Sequence, residues 1–247
     1  MASNDGKILS GKAALVTGGS RGIGRAIAEG YARQGAQVFV CGRDEMNLRV
    51  AIDEMRKSGG EIEGLAGDVG NREDVRRIAS TAVERYGAIH ILVNNASILG
   101  PRETVANYPE TAWEEVLRIN LTGLFLMTRA ILPVMLAQQT GSIINVTSGV
   151  GRQGKAQWGA YAVSKAGLEA LTQVLADEVG QDGIRVNAVN PAATRTAMRA
   201  QAYPAEDPLT LPTPEEILPI FVYLASDASK GVNGQSLEAR DWRKPND

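Results

Sequence analysis

The chain has a single cysteine, Cys41, and a single histidine, His90, in 247 residues. One thiol cannot form an intrachain disulfide, and this cysteine usage carries no mark of an oxidising compartment. Cys41 falls in the apolar run QVFVCG, where it reads as a small core residue. One imidazole can build neither a histidine-rich zinc site nor a Ser-His-Asp triad, so zinc- and serine-protease chemistries are excluded and no metal site is expected. Neither sign of charge dominates: 26 basic residues face 28 acidic ones, and a net charge of −2 provides no global field to attract nucleic acid. No stretch reaches the ~18 uncharged apolar residues of a membrane span. The longest apolar segment, around GLFLMTRAILPVMLA, is interrupted by Arg129 and Pro133. The start of the chain, MASNDGKILSGK, lacks the apolar core of a secretory signal and carries Asp5. These features predict a soluble, cytoplasmic protein with neither a membrane nor a nucleic-acid partner.

What is present is an ordinary globular composition, 44% apolar and 22% charged. A chain of this length removes roughly 70–75% of its unfolded surface from water as one domain. Short apolar runs at 13–17, 37–41, 61–66, 89–94, 142–147, 184–190 and 234–239 alternate with segments of helical period such as NREDVRRIASTAVERYG. That alternation predicts right-handed crossovers and a parallel sheet covered on both faces. Residues 1–10 read as a flexible leader and 240–247 as a tail. The proline-rich stretch 194–214, with Pro204, Pro208, Pro212 and Pro214, reads as a lid on the substrate side, because long loops in compact domains are commonly functional.

Two clusters of residues carry chemistry. The first strand ends in VTGGSRGIGRAIAEG, where Gly18, Gly22 and Gly24 punctuate a turn that opens into an amphipathic helix. Glycines let the backbone approach a pyrophosphate, and the helix start offers free N–H groups. The spacing Gly-x-x-x-Gly-x-Gly differs from Gly-x-Gly-x-x-Gly, and no Lys-Ser/Thr pair follows to make a P-loop. In AYAVSKAGLEALTQVLADEV, Tyr161 and Lys165 are four residues apart and share a helix face, with Ser148 thirteen positions upstream. A phenol beside an ammonium is expected to have a lowered pKa, and a strand-end hydroxyl completes a proton-donating corner.

TGGSRGIG, NNAS (94–97), Asn120, Ser148 and YAVSK together resemble the short-chain dehydrogenase/reductase family in its compact single-domain branch, from about Lys12 to Leu237. The resemblance implies an α/β Rossmann fold: one domain with a doubly wound seven-stranded parallel sheet and helices on both faces. It also implies a nicotinamide cofactor and a catalytic set of Asn120, Ser148, Tyr161 and Lys165. Tyr161 would exchange a proton with the substrate oxygen, Ser148 would hydrogen-bond that oxygen, Lys165 would hold the cofactor ribose, and Asn120 would hold a relay water. Cofactor contacts are implied for Gly18, Ser20, Arg21, Gly22, Ile23, Gly24, Arg43, Asp68, Val69, Asn95, Ala96, Tyr161, Lys165, Pro191, Ala192, Thr194 and Thr196, with Asp68 on the adenine and Thr196 on the carboxamide. Two departures stand out. Ser97 replaces the glycine of Asn-Asn-Ala-Gly, which predicts a small adjustment near the cofactor. Ala192 replaces the glycine after Pro191, which predicts a shifted loop path, since a positive φ there would be costly.

At the end of the second strand, the position that holds a ribose-binding acid in NAD enzymes is Gly42, followed by Arg43, with Arg21 facing the same space. Two guanidiniums suit a 2′-phosphate, which predicts NADP(H) over NAD(H). A one-residue shift would instead make Asp44 the ribose acid, although it also fits as an N-terminal acid of the next helix. Ile98, Leu99, Gly149, Val150, Trp158, Ala193, Met198 and Tyr203 are the expected pocket walls, with Ser148, Val150, Trp158, Tyr161, Met198 and Tyr203 as substrate contacts. The expected substrate is a small ketone, aldehyde or secondary alcohol. Reduction of 3-oxoacyl chains on an acidic carrier protein is the alternative, with Arg129 as a candidate docking residue, but Asp177, Glu178 and Asp182 at the end of the catalytic helix would repel such a carrier. A non-catalytic NADP-sensing regulator is a third reading, against which both Tyr161 and Lys165 argue. Segments 111–138 and 158–181 match the helices through which relatives pair, implying a homotetramer or a homodimer.

Overall fold

The computed structural model describes residues 6–57, 59–240 and 242–243. Seven strands form one parallel sheet: β1 (Ala13–Thr17), β2 (Gln37–Gly42), β3 (Ile62–Ala66), β4 (Ile91–Asn94), β5 (Gly141–Val146), β6 (Ile184–Asn190) and β7 (Ser236–Glu238). Their spatial order is β3-β2-β1-β4-β5-β6-β7, so the winding direction reverses between β1 and β4. In β1, Leu15 lies opposite Phe39 of β2 and Leu92 of β4, and all five residues are buried. A strand with no wet face must be apolar on both sides, which the run AALVT supplies.

Helices α1 (Gly22–Arg33), α2 (Glu45–Lys57), α3 (Arg72–Tyr86), α4 (Glu110–Leu117), α5 (Gly123–Gln138), α6 (Gly149–Arg152), α7 (Gly159–Val179), α8 (Ala197–Ala202) and α9 (Leu218–Ala225) complete the fold. Local signals fix their ends. Asn71 caps α3 by accepting from the N–H groups of Glu73 and Asp74 at 2.9 and 3.2 Å, and Gly87 ends it at φ 71°. Alternate residues of each strand face opposite layers. Ala14 and Val16 join Ile27, Tyr31, Met55 and Phe221 under α1, α2 and α9. Ala13 and Leu15 join Ile78, Met127, Ile131 and Leu175 under α3, α5 and α7. Cys41, in β2, is completely buried.

Two expectations are corrected, the second in the loop after β6. Leu9 is fully buried and its N–H donates to the Gln34 carbonyl, so residues 6–10 are tied to the core, while residues 1–5 lie outside the described ones. Of the tail, Arg240, Trp242 and Arg243 are described; Trp242 stacks on Tyr223 at 5.0 Å. The helical segment expected over 111–138 is present, with Pro133 at an exposed position of α5. Glu110–Gln138 is one continuous helical stretch, long and apolar enough by composition to cross a membrane, and half of its most apolar window is buried within this fold.

The loop after β6 holds the second correction. Ala192 keeps a left-handed backbone, φ 55°, rather than shifting the loop. Its N–H donates to Asn190 Oδ1 at 3.0 Å, and Thr194 Oγ1 donates to the Pro191 carbonyl at 2.8 Å, so neighbouring side chains impose the geometry. A left-handed alanine costs roughly 1–2 kcal/mol, partly offset by the roughly 0.5–1 kcal/mol that glycine loses in chain entropy. Ala192→Gly should therefore raise stability by about 0.5–1 kcal/mol, read as a thermal midpoint about 1–4 °C higher; an unchanged or lower midpoint would refute the strain assignment.

Candidate active site

At the switch point the ends of β1 and β4 separate, and side chains close the exposed backbone. Thr17 Oγ1 donates to the Val93 carbonyl at 3.2 Å and accepts from the N–H groups of Asn95 and Ala96 at 3.0 and 3.1 Å. Asn95 Nδ2 donates back to the carbonyls of Thr17 and Gly18 at 2.9 and 3.2 Å. The glycine turn fits against this stitch. Gly18 and Gly22 have φ of 69° and 55°, and a Cβ on Gly24 would sit 2.3 Å from the Gly18 carbonyl oxygen. No other residue type can pass there.

A cavity of about 570 Å³ runs from this turn to Trp158. Its lining includes Gly18, Ser20, Arg21, Gly22, Ile23, Gly42, Arg43, Val69, Asn95 and Ala96 at one end, and Ser148, Tyr161, Lys165, Pro191, Ala192, Thr194 and Thr196 toward the other. The size and the glycine-lined wall suit a dinucleotide. Gly24 lies behind the wall as a packing glycine. Beside Gly42 stands Ser20, whose Oγ would be 3.3 Å from an added Cβ. Asp44 Oδ1 accepts from the Asn47 N–H at 2.8 Å, which makes Asp44 the cap of α2. Arg43 Nη1 lies 3.6 Å from Glu115 Oε1, with both side chains well exposed.

Asp68 is held from outside the groove. Its neighbours Gly67 and Val69 line the cavity, whereas its own carboxylate accepts from Arg118 Nη2 at 2.7 Å and from the Gly70 N–H at 2.8 Å. Arg118 also pairs with Glu115, which holds that carboxyl below its ordinary pKa. The acid takes part in the network that joins the β3 end to Arg118, the first residue after α4.

Tyr161 and Lys165 are buried on one face of α7, with Lys165 Nζ 5.6 Å from the Tyr161 ring centroid. Burial raises the phenol's pKa to about 12, and the hydroxyls of Ser148 and Ser97 oppose that rise. The expected lowering by Lys165 is therefore corrected for the chain taken alone, where loss of hydration prevails. Burial also pushes the Lys165 ammonium down to about 8, opposed by the charge of Glu169. Lys165 Nζ donates to the Val146 carbonyl at 2.8 Å. Glu169, one turn further along, accepts from Thr147 Oγ1 at 2.8 Å and Ser236 Oγ at 2.9 Å.

Asn120 lies in a π-helical turn, Arg118–Thr122, between α4 and α5. Such turns are rare and recur at functional sites. Its Oδ1 accepts from the Ile98 N–H at 2.8 Å, and its Nδ2 donates to the Ile98 carbonyl at 2.9 Å and to Ser164 Oγ at 3.1 Å. Both Nδ2 hydrogens are thus used in fixing the segment after β4, while Oδ1, with one bond accepted, keeps a second lone pair.

At the substrate end, Ile98, Leu99, Trp158 and Met198 line the cavity as expected, together with Gly100, Ala197, Arg199, Gln201 and Ala202, which the sequence did not mark. Gly149, Val150, Ala193 and Tyr203 are not in the lining. Val150 and Tyr203 pack behind it with Trp158 and Tyr161. Tyr203 is held against Trp158, ring centroids 6.0 Å apart, and carries the Arg199 guanidinium 3.9 Å above its ring. Arg102 reaches over the Trp158 ring at 4.5 Å and donates to the Ala202 carbonyl at 3.0 Å. The 194–214 stretch is ordered by Arg195, whose guanidinium donates to the carbonyls of Pro208 and Leu211 at 2.8 and 3.1 Å. Thr196 caps α8 by accepting from the Arg199 N–H at 3.1 Å, and lies over Gly22. Among the described residues, no cluster of histidine, cysteine and acidic side chains could hold a metal ion.

The family model described as short chain dehydrogenase matches residues 12–207. The chain is 40% identical to the uncharacterized oxidoreductase YciK of Escherichia coli (strain K12) over 96% of this chain and 95% of that one. It is 34% identical to the 3-oxoacyl-[acyl-carrier-protein] reductase FabG of Thermotoga maritima over 92% and 95%. Among solved structures, a protein described as a short chain dehydrogenase from Escherichia coli CFT073, complexed with NADPH, superposes with a TM-score of 0.90 at 39% identity, covering 95% of this chain and 98% of the other. With relatives that match over nearly their whole length, and a shared seven-stranded fold around a glycine-lined cavity, the chain belongs to the short chain dehydrogenase family of oxidoreductases.

Proposed function

We propose that the chain is an NADP(H)-dependent oxidoreductase interconverting a small ketone or aldehyde and its alcohol, with Tyr161 as the proton-exchanging group. The observation that carries this reading is that buried Tyr161 and Lys165 and half-buried Ser148 line the same cavity as the glycine turn. The NADP complexes of similar proteins support the choice of cofactor. Preference for NADP(H) over NAD(H) rests on Gly42 in place of an acid, on Asp44 being used as a helix cap, and on Arg21 and Arg43 lining the groove.

When bound, the dinucleotide supplies the hydride chemistry. The protein's part is to place groups and manage one proton. In reduction, the Tyr161 hydroxyl gives its proton to the carbonyl oxygen, and Ser148 donates a hydrogen bond to the same atom. In oxidation, the phenol must lose its proton first, so its high pKa is an obstacle that nearby positive charge lowers. Lys165, with a pKa of about 8, is mostly cationic at neutral pH and is the chain's own source of that charge. Asn120 positions the 98 segment, and Thr194 and Thr196 shape the far wall.

A free small substrate is favoured over a carrier-bound acyl chain because three arginines near the substrate end are already engaged. Arg199 is bound to Glu206 at 2.6 Å, Arg152 pairs with Glu238, and Arg102 is stacked on Trp158. Carrier-linked reduction is the second reading, favoured by the similarity to carrier-protein reductases. A ketone and aldehyde panel read by NADPH absorbance, run beside an acetoacetyl-carrier substrate, separates the two; efficient turnover of the carrier with a salt-sensitive KM would promote the second. Self-association through α5 and α7 is supported by exposed Phe125, Leu136, Val163 and Val174 on those helices, and light scattering reads its stoichiometry.

Tyr161→Phe should lower kcat by at least ~10²-fold, the range of a positioned acid, while the NADPH Kd stays within about twofold; wild-type turnover would overturn the assignment. Wild-type kcat/KM should be higher with NADPH than with NADH, and Arg43→Ala should narrow that ratio by about 10-fold or more, the scale of one charge-assisted hydrogen bond. Equal kcat/KM for both cofactors would defeat the preference. Lys165 also has a stability signature. Its folded pKa, about 8, lies below the unfolded value of 10.5, so the unfolded chain binds more protons between these pH values. Wild-type stability should therefore rise relative to Lys165→Met from pH 8 to 10.5, measured by denaturant unfolding without cofactor, and a flat difference would contradict the burial effect.

A further inference from the structure

Ser97 stands where Asn-Asn-Ala-Gly was expected, and the structure gives its hydroxyl a location with chemical meaning. It lines the cavity beside Tyr161. The segment carrying it is pinned on both sides, by the Ala96 N–H bonded to Thr17 Oγ1 and by the paired Ile98–Asn120 bonds. Its Oγ is buried and has no well-oriented hydrogen-bond partner within the chain. A buried hydroxyl without a partner is destabilising, and glycine would avoid that penalty at once. The Ser97 hydroxyl shares the cavity wall with the Tyr161 phenol, and together with the hydroxyl of Ser148 it opposes the rise that burial gives the phenol's pKa.

We propose that Ser97 is a second hydroxyl of the proton-exchange centre, whose O–H donates to the Tyr161 oxygen when that oxygen is anionic and leaves Ser148 to hold the substrate oxygen. This rests on Tyr161 being the proton-exchanging group. In oxidation, the alcohol O–H bond breaks and its proton passes to the Tyr161 oxygen, while the C–H electron pair leaves as hydride to the oxidised dinucleotide. Ser97 keeps its own proton throughout. A hydrogen bond given to the charged form of an acid lowers its pKa, so the effect of Ser97 falls on the oxidation direction at low pH. The other groups facing the phenol do not duplicate it. Lys165 approaches from the same helix, with Nζ bonded to the Val146 carbonyl. Arg102 lies over Trp158, Lys155 and Arg199 lie against Tyr203, and the Tyr108 hydroxyl is buried in the same aromatic cluster.

The test replaces Ser97 by Gly, Ala and Thr and reads the ionisation of residue 161 in two ways. The first is a fluorine NMR titration of the cofactor-free protein carrying 2,3-difluorotyrosine at position 161. The second is the pH profile of kcat/KM for alcohol oxidation. Ser97→Gly and Ser97→Ala should move both the titration midpoint and the acidic limb upward by about one pH unit, the scale of a hydrogen bond to an ionised group. Oxidation should slow about tenfold below the limb, with NADPH Kd nearly unchanged and the thermal midpoint of the Ala variant no lower than wild type, because a buried unpartnered hydroxyl has been removed, and Ser97→Thr should restore the wild-type profile. Titrations that superimpose on wild type in the Gly and Ala variants would overturn the proposal. Tyr161→Phe run alongside separates the two failures: an active Phe variant sinks the underlying proton-exchange reading, whereas an inactive one with unshifted Ser97 variants sinks only the role of Ser97.

Discussion

The cavity depends on the hydrogen bonds that Thr17 and Asn95 make across the gap between β1 and β4. Where two parallel strands diverge, their last N–H and C=O groups lose their ladder partners, and a buried backbone group without a partner is costly. Here one hydroxyl takes two N–H groups and one amide returns to two carbonyls. The gap is thereby stable without being filled. The glycine turn can lie against Asn95 only because no Cβ intervenes, and the segment bearing Ser97 starts from the same fixed point.

A second constraint is the single long helix α7, which carries Tyr161, Lys165 and Glu169 at successive turns on one buried face. Burial moves the phenol and the ammonium toward their neutral forms, in opposite directions on the pH scale. The distance between the two values shrinks when charge or hydrogen bonds favour the ionised phenol, or when Glu169 favours the ammonium. Glu169 couples this face to the neighbours of Ser148 and to β7 through Thr147 and Ser236. The proton inventory of the site is consequently set by packing as much as by the reactive groups themselves.

The strand runs were legible because each is short, apolar and bounded by turn residues, and a parallel sheet requires that pattern. The glycine turn, Tyr161, Lys165 and Ser148 were legible because their spacing and order leave few alternatives. What the sequence hid was side-chain commitment. Nothing in the letters around Asp68 shows that Arg118, fifty positions away, claims its carboxylate. Nor could the sequence show that Asn120 is bonded to Ile98, or that Tyr203 packs behind the wall rather than in it. Ala192 is instructive in another way. Its intrinsic preference argued for a different loop, and Asn190 and Pro191 imposed the left-handed geometry all the same.

Cys41 lies in β2, immediately beneath the groove, fully enclosed and with its thiol pushed up to about 12 by burial. A thiol so placed is inert to alkylating reagents while the sheet is intact. Because no second sulfhydryl competes with it, the rate at which an electrophile labels the protein acts as a clock for opening of the β1–β2–β3 layer, with no engineered probe required.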